Sequence, residues 1–344
     1  MKTHKNLWPE VVSAENMLAA AQEAMRGKRS RPPAARFFAR WETEAMRLRE
    51  ELLDGSYRPG RYTYFKIHEP KERVVAAAPF RDRVVHHALI RVLQPVFEPR
   101  FIEDSFACRP GKGTHAGMRR AAEFAARFPV ALKCDIRRYF PSIDHKVLLG
   151  RIRRVVTDPA VLGLIGNILG SHRESSRRIY GASLFETRDI GIGLPIGNLT
   201  SQFFANVHLD GFDHFVKQKL RVRGYLRYVD DFLLFGPDRV TVRAWGEAVR
   251  EHLAGLRLEI HPDKYRISLT STGVDFCGFV VRSDGRIRVR RASARRFQRK
   301  FEHRKWQWRR GECGAADVRA TVKAWVAHVS HAQSWRLRGA VLSR

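Results

Sequence analysis

Acidic residues are scarce in this chain: 35 Asp and Glu stand against 64 Lys and Arg, a formal charge of +29 over 344 residues. A surplus of that size goes beyond what solubility asks for. It points to a polyanionic partner, whose counterions would be released on binding so that affinity falls steeply with salt. Cysteine is equally sparse. Cys108, Cys134, Cys277 and Cys313 have no paired metal-binding spacing, which supports neither a zinc cluster nor a disulfide framework and makes reduced thiols in a cytoplasmic setting the expectation. No apolar run is long enough to span a bilayer and no N-terminal signal pattern is present, so no membrane partner is expected. Internal repeats and low-complexity linkers are absent too, and the length leaves room for several parts rather than one compact domain.

What the chain does hold, inside an apolar stretch from 226 to 235, is a pair of adjacent carboxylates: Tyr228-Val229-Asp230-Asp231. Ionised Asp in an apolar strand must be paired, hydrated or bound to a cation, and two side by side repel each other. A divalent metal ion resolves that conflict. The flanking blocks 226–229 and 232–235 are each of strand length, which predicts a β-hairpin whose tight turn carries the aspartates. Asp-Asp is also an ordinary turn pair, so these residues alone leave both readings open. A second acidic strand shifts the balance: residues 130–136 form a short apolar run containing Asp135 and Ile136. Three carboxylates converging on a pair of Mg²⁺ ions is the arrangement used in phosphoryl transfer. Mg²⁺ suits oxygen ligands and needs only one or two carboxylates beside the substrate phosphates.

Further motifs follow in a fixed order. Arg58-Pro59-Gly60 and residues 66–73 precede the first acidic strand, as do residues 104–115 with Arg109, Gly111 and Lys112; residues 194–202 lie between the two acidic strands, and Lys264 and Phe276-Cys277-Gly278-Phe279 come after the second. This series resembles the reverse transcriptases, with Asp135 at the first palm aspartate and Tyr228-Val229-Asp230-Asp231 at the second catalytic motif. The resemblance covers about residues 55–282. It implies an α+β right-hand polymerase with fingers, an antiparallel-sheet palm backed by helices, and a helical thumb. The expected divisions are an N-terminal helical extension over 1–54, fingers with the start of the palm over 55–125, the palm over 126–282 with a fingers insertion at about 145–190, and a basic helical thumb over 283–344.

Within that family, the loop Ile196-Gly197-Asn198-Leu199-Thr200-Ser201-Gln202 resembles the branch found in diversity-generating retroelements. That branch reads an aliphatic residue, Gly, three residues, then Ser-Gln. Group II intron enzymes instead begin the loop with Gln-Gly and end it with Ser-Pro. Residues 16–28 resemble the leading helix of the same branch, and no maturase-sized or nuclease-sized extension follows the palm. The retron signatures are missing.

The resemblance implies that Asp135, Asp230 and Asp231, with Ile136 beside them, hold two Mg²⁺ ions that promote attack of the primer 3′ hydroxyl on the α-phosphate. Lys66, Arg73, Tyr139, Phe140, Ile196, Gln202 and Lys264 are its candidate dNTP contacts. Arg offers a planar bidentate fork to the triphosphate and Lys a mobile point charge. The Phe140 ring would exclude a 2′ hydroxyl. Lys264 is a candidate general acid for pyrophosphate, and a phosphate-binding or surface lysine is the competing reading. Template and primer contacts fall to Arg109, Gly111, Lys112, Phe276, Cys277, Gly278, Arg295 and Arg299. An aliphatic Ile196 lacks the amide that Gln would offer a base pair, which motivates selective miscopying of template adenines.

Residues 282–310 hold thirteen Lys or Arg and only two acids, Asp284 and Glu302, interrupted by Trp306 and Trp308. A helix starting near Ser293, with Arg295, Arg296, Arg299, Lys300, Arg304 and Lys305, could lay a basic face along a duplex. The later apolar Val318, Val322, Trp325, Val326 and Val329 predict a packed helical thumb rather than a solvated tail. The expected partners are a template RNA, a cDNA or DNA primer, dNTPs, and a small basic oligomeric accessory protein, in a cytoplasmic, bacterial or phage-encoded setting. Two alternatives stand beside this reading. One is another bacterial reverse transcriptase of the group II intron, retron or phage-defence type; the other is a non-catalytic RNA-binding protein with a polymerase fold.

Overall fold

A computed structural model describes residues 3–27, 35, 37–68, 72–179 and 191–343. Lys28 of the leading-helix resemblance, residues 69–71 of the motif at 66–73, and residues 180–190 of the expected insertion lie outside the described residues. In chain order the main elements are α1 (Ala14–Met25), α2 (Trp41–Leu53), β1 (Thr63–Ile67), β2 (Arg73–Ala77), α3 (Phe80–Phe97), α4 (Thr114–Arg127), β3 (Val130–Asp135), α5 (His145–Arg153), α6 (Pro159–Ile179) and α7 (Leu199–His214). They continue with β4 (Gly224–Tyr228), β5 (Asp231–Gly236), α8 (Arg239–Gly255), β6 (Arg266–Leu269), β7 (Val274–Phe276), β8 (Phe279–Val281), β9 (Ile287–Val289), α9 (Arg291–Arg309), α10 (Ala315–Val329) and α11 (Trp335–Leu342). Two compact units emerge, each assembled from separated stretches of the chain.

The first unit comprises residues 1–102, 137–214 and 252–259. Helix α1 starts where the Ser13 hydroxyl accepts from the Asn16 N–H, capping an otherwise orphaned donor. Its small buried residues Ala20, Ala21 and Ala24 let α3 approach closely. Asn16 is buried and offsets that cost by bonding outward: its amide donates to the carbonyls of Val11 and Ala88, each at 3.0 Å, and its oxygen accepts from Arg91 Nε at 2.9 Å. The Arg58-Pro59-Gly60 motif turns on Asp82, 1% exposed, which accepts from the Tyr57 hydroxyl at 3.0 Å and the Gly60 N–H at 2.7 Å. Burial raises the pKa of both Asp82 and Tyr57. Strands β1 and β2 form a separate antiparallel ribbon.

The second unit comprises residues 103–136, 215–251 and 260–344. Its central sheet has the order β4-β5-β3-β6, all antiparallel. Strands β3 and β5 read as continuous apolar runs because both faces are covered. On one face, Ala131, Leu226, Leu233 and Phe235 pack with Met118, Ala121 and Phe124 of α4 and with Phe276 and Phe279. On the other, α8 lies so close that a Cβ on Gly246 would stand 2.9 Å from a Leu132 methyl and 2.1 Å from the Tyr265 hydroxyl. Strands β7, β8 and β9 form a second small sheet. The stretch assigned by sequence to a helical thumb, 283–344, therefore opens with a strand, because Ile287 and Val289 face Val281 and Phe279 across the ladder.

Helix formation begins at Arg291, close to the expected Ser293. Helices α9, α10 and α11 enclose a core of Phe297, Phe301, Trp325, Val329 and Val341, with the Phe297 and Trp325 rings stacked at 4.0 Å. Of the tryptophans expected to mark packing, Trp325 is buried, while Trp306 and Trp308 are about half exposed at 47% and 51%. Among the described residues no helix is long and apolar enough to cross a membrane.

Candidate active site

The expected hairpin is present. Strands β4 and β5 close on the pair Tyr228 and Asp231, leaving Val229 and Asp230 as a two-residue turn. Two-residue hairpin turns require positive φ at the first position, and Val229 has φ 57°. A β-branched residue is strained there. Asp135 sits directly opposite Asp231 across β3 and β5, so the two carboxylates leave the sheet on the same face. The Ile136 N–H donates to the Asp230 carbonyl at 3.1 Å, joining the end of β3 to the turn.

The electrostatics follow from that crowding. Asp135 is buried and receives Lys264 Nζ at 2.5 Å on Oδ2. Lys264 arrives from a 3₁₀ turn, Pro262–Lys264, fixed by the His261 N–H donating to the Asp135 carbonyl at 2.8 Å. Burial pushes the Asp231 carboxyl up to about 7; nearby Lys133 opposes the rise, and Asp135 and Asp230 add to it, Asp135 also through a hydrogen bond. Cys277 lies within reach of the same charge: burial and Asp231 push its thiol up to about 12. Its loop is a tight hairpin between Phe276 and Phe279 with positive φ at Cys277 (49°) and Gly278 (88°).

The donor set suits a hard cation. All three side chains offer carboxylate oxygens, and Asp231 cannot ionise freely beside Asp135 until positive charge is supplied. Among the described residues no three His, Cys, Asp or Glu side chains already stand grouped as a cation site. Lys264 instead provides the charge at Asp135.

The other expected contacts divide by unit. In the second unit, Arg109 Nη1 donates to the Ser105 carbonyl at 2.8 Å, Gly111 has φ 69°, and Lys112 is tied to the Glu103 carbonyl at 3.0 Å and to its carboxylate. Arg295 and Arg299 are exposed one helical turn apart on α9. Phe276 is 0% exposed and belongs to the core, and the Cys277-Gly278 turn follows it.

In the first unit, Tyr139 is buried. Its ring is 1% exposed and its hydroxyl donates to the Ala205 carbonyl at 2.6 Å. Phe140 beside it is half-buried. Lys66 faces Val74 and Arg73 faces Ile67 across the ribbon, so the two cations leave opposite faces, and Lys66 pairs with Glu72 at 2.8 Å. The loop 194–202 is bolted to β2: the Ala76 N–H donates to the Ile196 carbonyl and Asn198 Nδ2 donates to the Ala76 carbonyl, both at 2.9 Å. Gln202 is exposed in the first turn of α7.

Two residues near the carboxylates escaped the sequence reading. Lys133 shares the Asp135 face of β3 and lies 3.7 Å from Asp275, which Arg290 also pairs with. Period-2 alternation puts Lys133 two places from Asp135, a usable signal. Arg227 is fully buried in β4 next to the turn, and no pattern in the sequence marks it as such.

A family model described as reverse transcriptase (RNA-dependent DNA polymerase) matches residues 66–281. The chain is 26% identical over 286 residues to protein YkfC of Escherichia coli strain K12, covering 70% of this chain and 71% of that protein. It is 26% identical over 180 residues to group II intron-encoded protein LtrA of Lactococcus lactis subsp. cremoris, covering 52% of this chain and 29% of LtrA. With nuclear intron maturase 1, mitochondrial, of Arabidopsis thaliana it shares 37% over 90 residues, 26% of this chain and 13% of that protein. The chain thus spans less than a third of the two intron-related proteins. A solved telomerase from Candida albicans, in complex with a fragment of telomeric RNA, aligns with TM-score 0.47 and 12% identity over 71% of this chain and 49% of its own.

Proposed function

This chain belongs to the reverse transcriptase family, and from that premise we propose that it is an RNA-directed DNA polymerase, copying a template RNA into cDNA from dNTPs. The observation that carries the reading is Asp135 facing Asp231 across β3 and β5, with Asp230 in the adjoining turn. Asp135, Asp230 and Asp231, with Ile136 beside them, would hold Mg²⁺. Bound there, Mg²⁺ supplies the positive charge that favours attack by the primer hydroxyl and departure of pyrophosphate. The protein's own part is to hold two carboxylates in register on one sheet face and to pair Asp135 with Lys264. Lys264, once released from Asp135, is a proton donor for the leaving group. Family membership further suggests nucleotide roles for Lys66, Arg73, Phe140, Ile196 and Gln202, and template or primer roles for Arg109, Gly111, Lys112, Cys277, Gly278, Arg295 and Arg299.

Within the family, Ile196 and the Ser201-Gln202 ending favour a diversity-generating enzyme that miscopies template adenines and works with a small basic accessory protein. A group II intron type is the second reading, favoured by the similarity to LtrA. Sequencing cDNA made on a defined RNA template separates them. Adenine-biased errors that diminish in Ile196→Gln support the first, and evenly distributed errors support the second. The polymerase reading itself rests on Mg²⁺-dependent extension: Asp230→Ala is expected to abolish it while RNA affinity stays unchanged. Wild-type protein that binds RNA and extends no primer would leave an RNA-binding role instead.

A further inference from the structure

Arg227 is 0% exposed and heads the largest fully buried side chains among the described residues. A buried guanidinium is costly unless its donors are met, so what it meets is informative. Nη1 donates to the Val229 carbonyl at 2.9 Å, and Nη2 donates to the Ser105 hydroxyl at 3.2 Å. The main chain repeats the link: the Arg227 N–H donates to the Asp104 carbonyl and the Phe106 N–H donates to the Arg227 carbonyl, both at 2.9 Å, forming a short parallel bridge between Ser105 and Arg227. That bridge is itself anchored. Asp104 is buried and accepts from Arg120 Nε and Lys217 Nζ, each at 2.7 Å.

Val229 is the residue the guanidinium reaches, and it is the strained one, a β-branched side chain at φ 57° immediately before Asp230. Its carbonyl points back to Arg227, so the bond that satisfies this carbonyl also holds the unfavourable turn. On the far side, Arg109 grips the carbonyl of Ser105, the residue whose hydroxyl Arg227 holds.

We propose that Arg227 is a positioning residue: its guanidinium braces the strained Val229 peptide, sets the direction of the Asp230 and Asp231 carboxylates, and ties the turn to the segment 104–109. Movement of that segment is thereby passed to the carboxylates. The kinetic consequence rests on the polymerase reading; the mechanical link does not. Lys at this position keeps the charge but lacks the fork that spans Val229 and Ser105.

The test is a double-mutant cycle of Arg227→Lys and Val229→Gly, followed by thermal melting and by steady-state primer extension. Gly at 229 adopts positive φ without strain, so the bracing bond loses its task. The expected result is that Arg227→Lys lowers the melting temperature less in the Val229→Gly background than in the wild type. In extension assays Arg227→Lys lowers kcat about 100-fold, the scale of a small misplacement of reacting groups, with the KM for dNTP and the RNA affinity unchanged. Ser105→Ala, which removes the second anchor without burying a new group, gives a several-fold loss of kcat in the same pattern. Additive melting shifts would overturn the proposal, reducing Arg227 to core filling, and so would a loss carried by KM. Should wild-type protein extend no primer, the polymerase reading fails and the melting cycle alone decides the brace.

Discussion

Gly197 shows how a single atom positions the loop that carries Ile196. It has φ 108°, and a Cβ there would lie 2.7 Å from a Val75 methyl. Gly197→Ala is therefore expected to loosen the bonds between Ala76 and the loop and to lower stability by about 1–3 kcal/mol, read as a shift in the chemical denaturation midpoint. An unchanged midpoint would mean that the loop is not held against β2. His86 supplies the pH dependence. His86 and His87 are neighbours on α3 in different surroundings: His86 is buried, while His87 Nδ1 lies 3.4 Å from a Glu23 oxygen. Burial, with the charges of His87 and Arg83, lowers the His86 pKa from 6.5 to about 3. The unfolded chain thus binds this proton first on acidification, and stability falls as pH drops from about 6.5 towards about 3, at up to ~1.4 kcal/mol per pH unit. His86→Gln should flatten that acid limb in melts taken across the window, and an identical limb would assign the acid sensitivity elsewhere.

The elements divide into those the sequence announces and those it hides. The aspartate hairpin and β3 were legible because an apolar run of strand length with an acidic end fits a strand that delivers a carboxylate and little else. Arg227 was not, since an arginine in a strand ordinarily reads as solvent-facing; what covers it comes from Ser105, 122 positions earlier. Tyr139 and Phe276 stand inside the motifs with both rings buried. An aromatic residue inside a recognised motif looks like a ligand contact, yet one ring and one strand of the motif are needed to build the core. Strand β9 went unseen because three residues carry too little periodicity to register. The C-terminal helices make two predictions. Trp325→Ala removes the ring stacked on Phe297 and should cost about 3–5 kcal/mol. Hydrogen exchange would report it as lost protection over residues 291–342 with β3 and β5 still protected; uniform loss would show that these helices do not unfold separately. Arg295→Gln with Arg299→Gln should lower the slope of log affinity for RNA against log salt by about 2, equally for unrelated sequences. An unaltered slope would remove this face of α9 from the phosphate contacts.

Both units are woven from separated stretches: residues 1–102, 137–214 and 252–259 make one, and 103–136, 215–251 and 260–344 the other. Neither can be completed from a contiguous piece of chain. The central strand β3 illustrates what this means during synthesis. Asp135 is translated 96 residues before the Asp231 it faces (231 minus 135), and β6, its other neighbour, comes later still. At roughly 5–20 residues per second, the nascent polypeptide must keep an apolar strand without either neighbour for about 5–20 seconds. An unpaired strand edge is a template for aggregation. The pairing that brings the carboxylates together is thus also the step that first covers an edge of this strand as the chain leaves the ribosome.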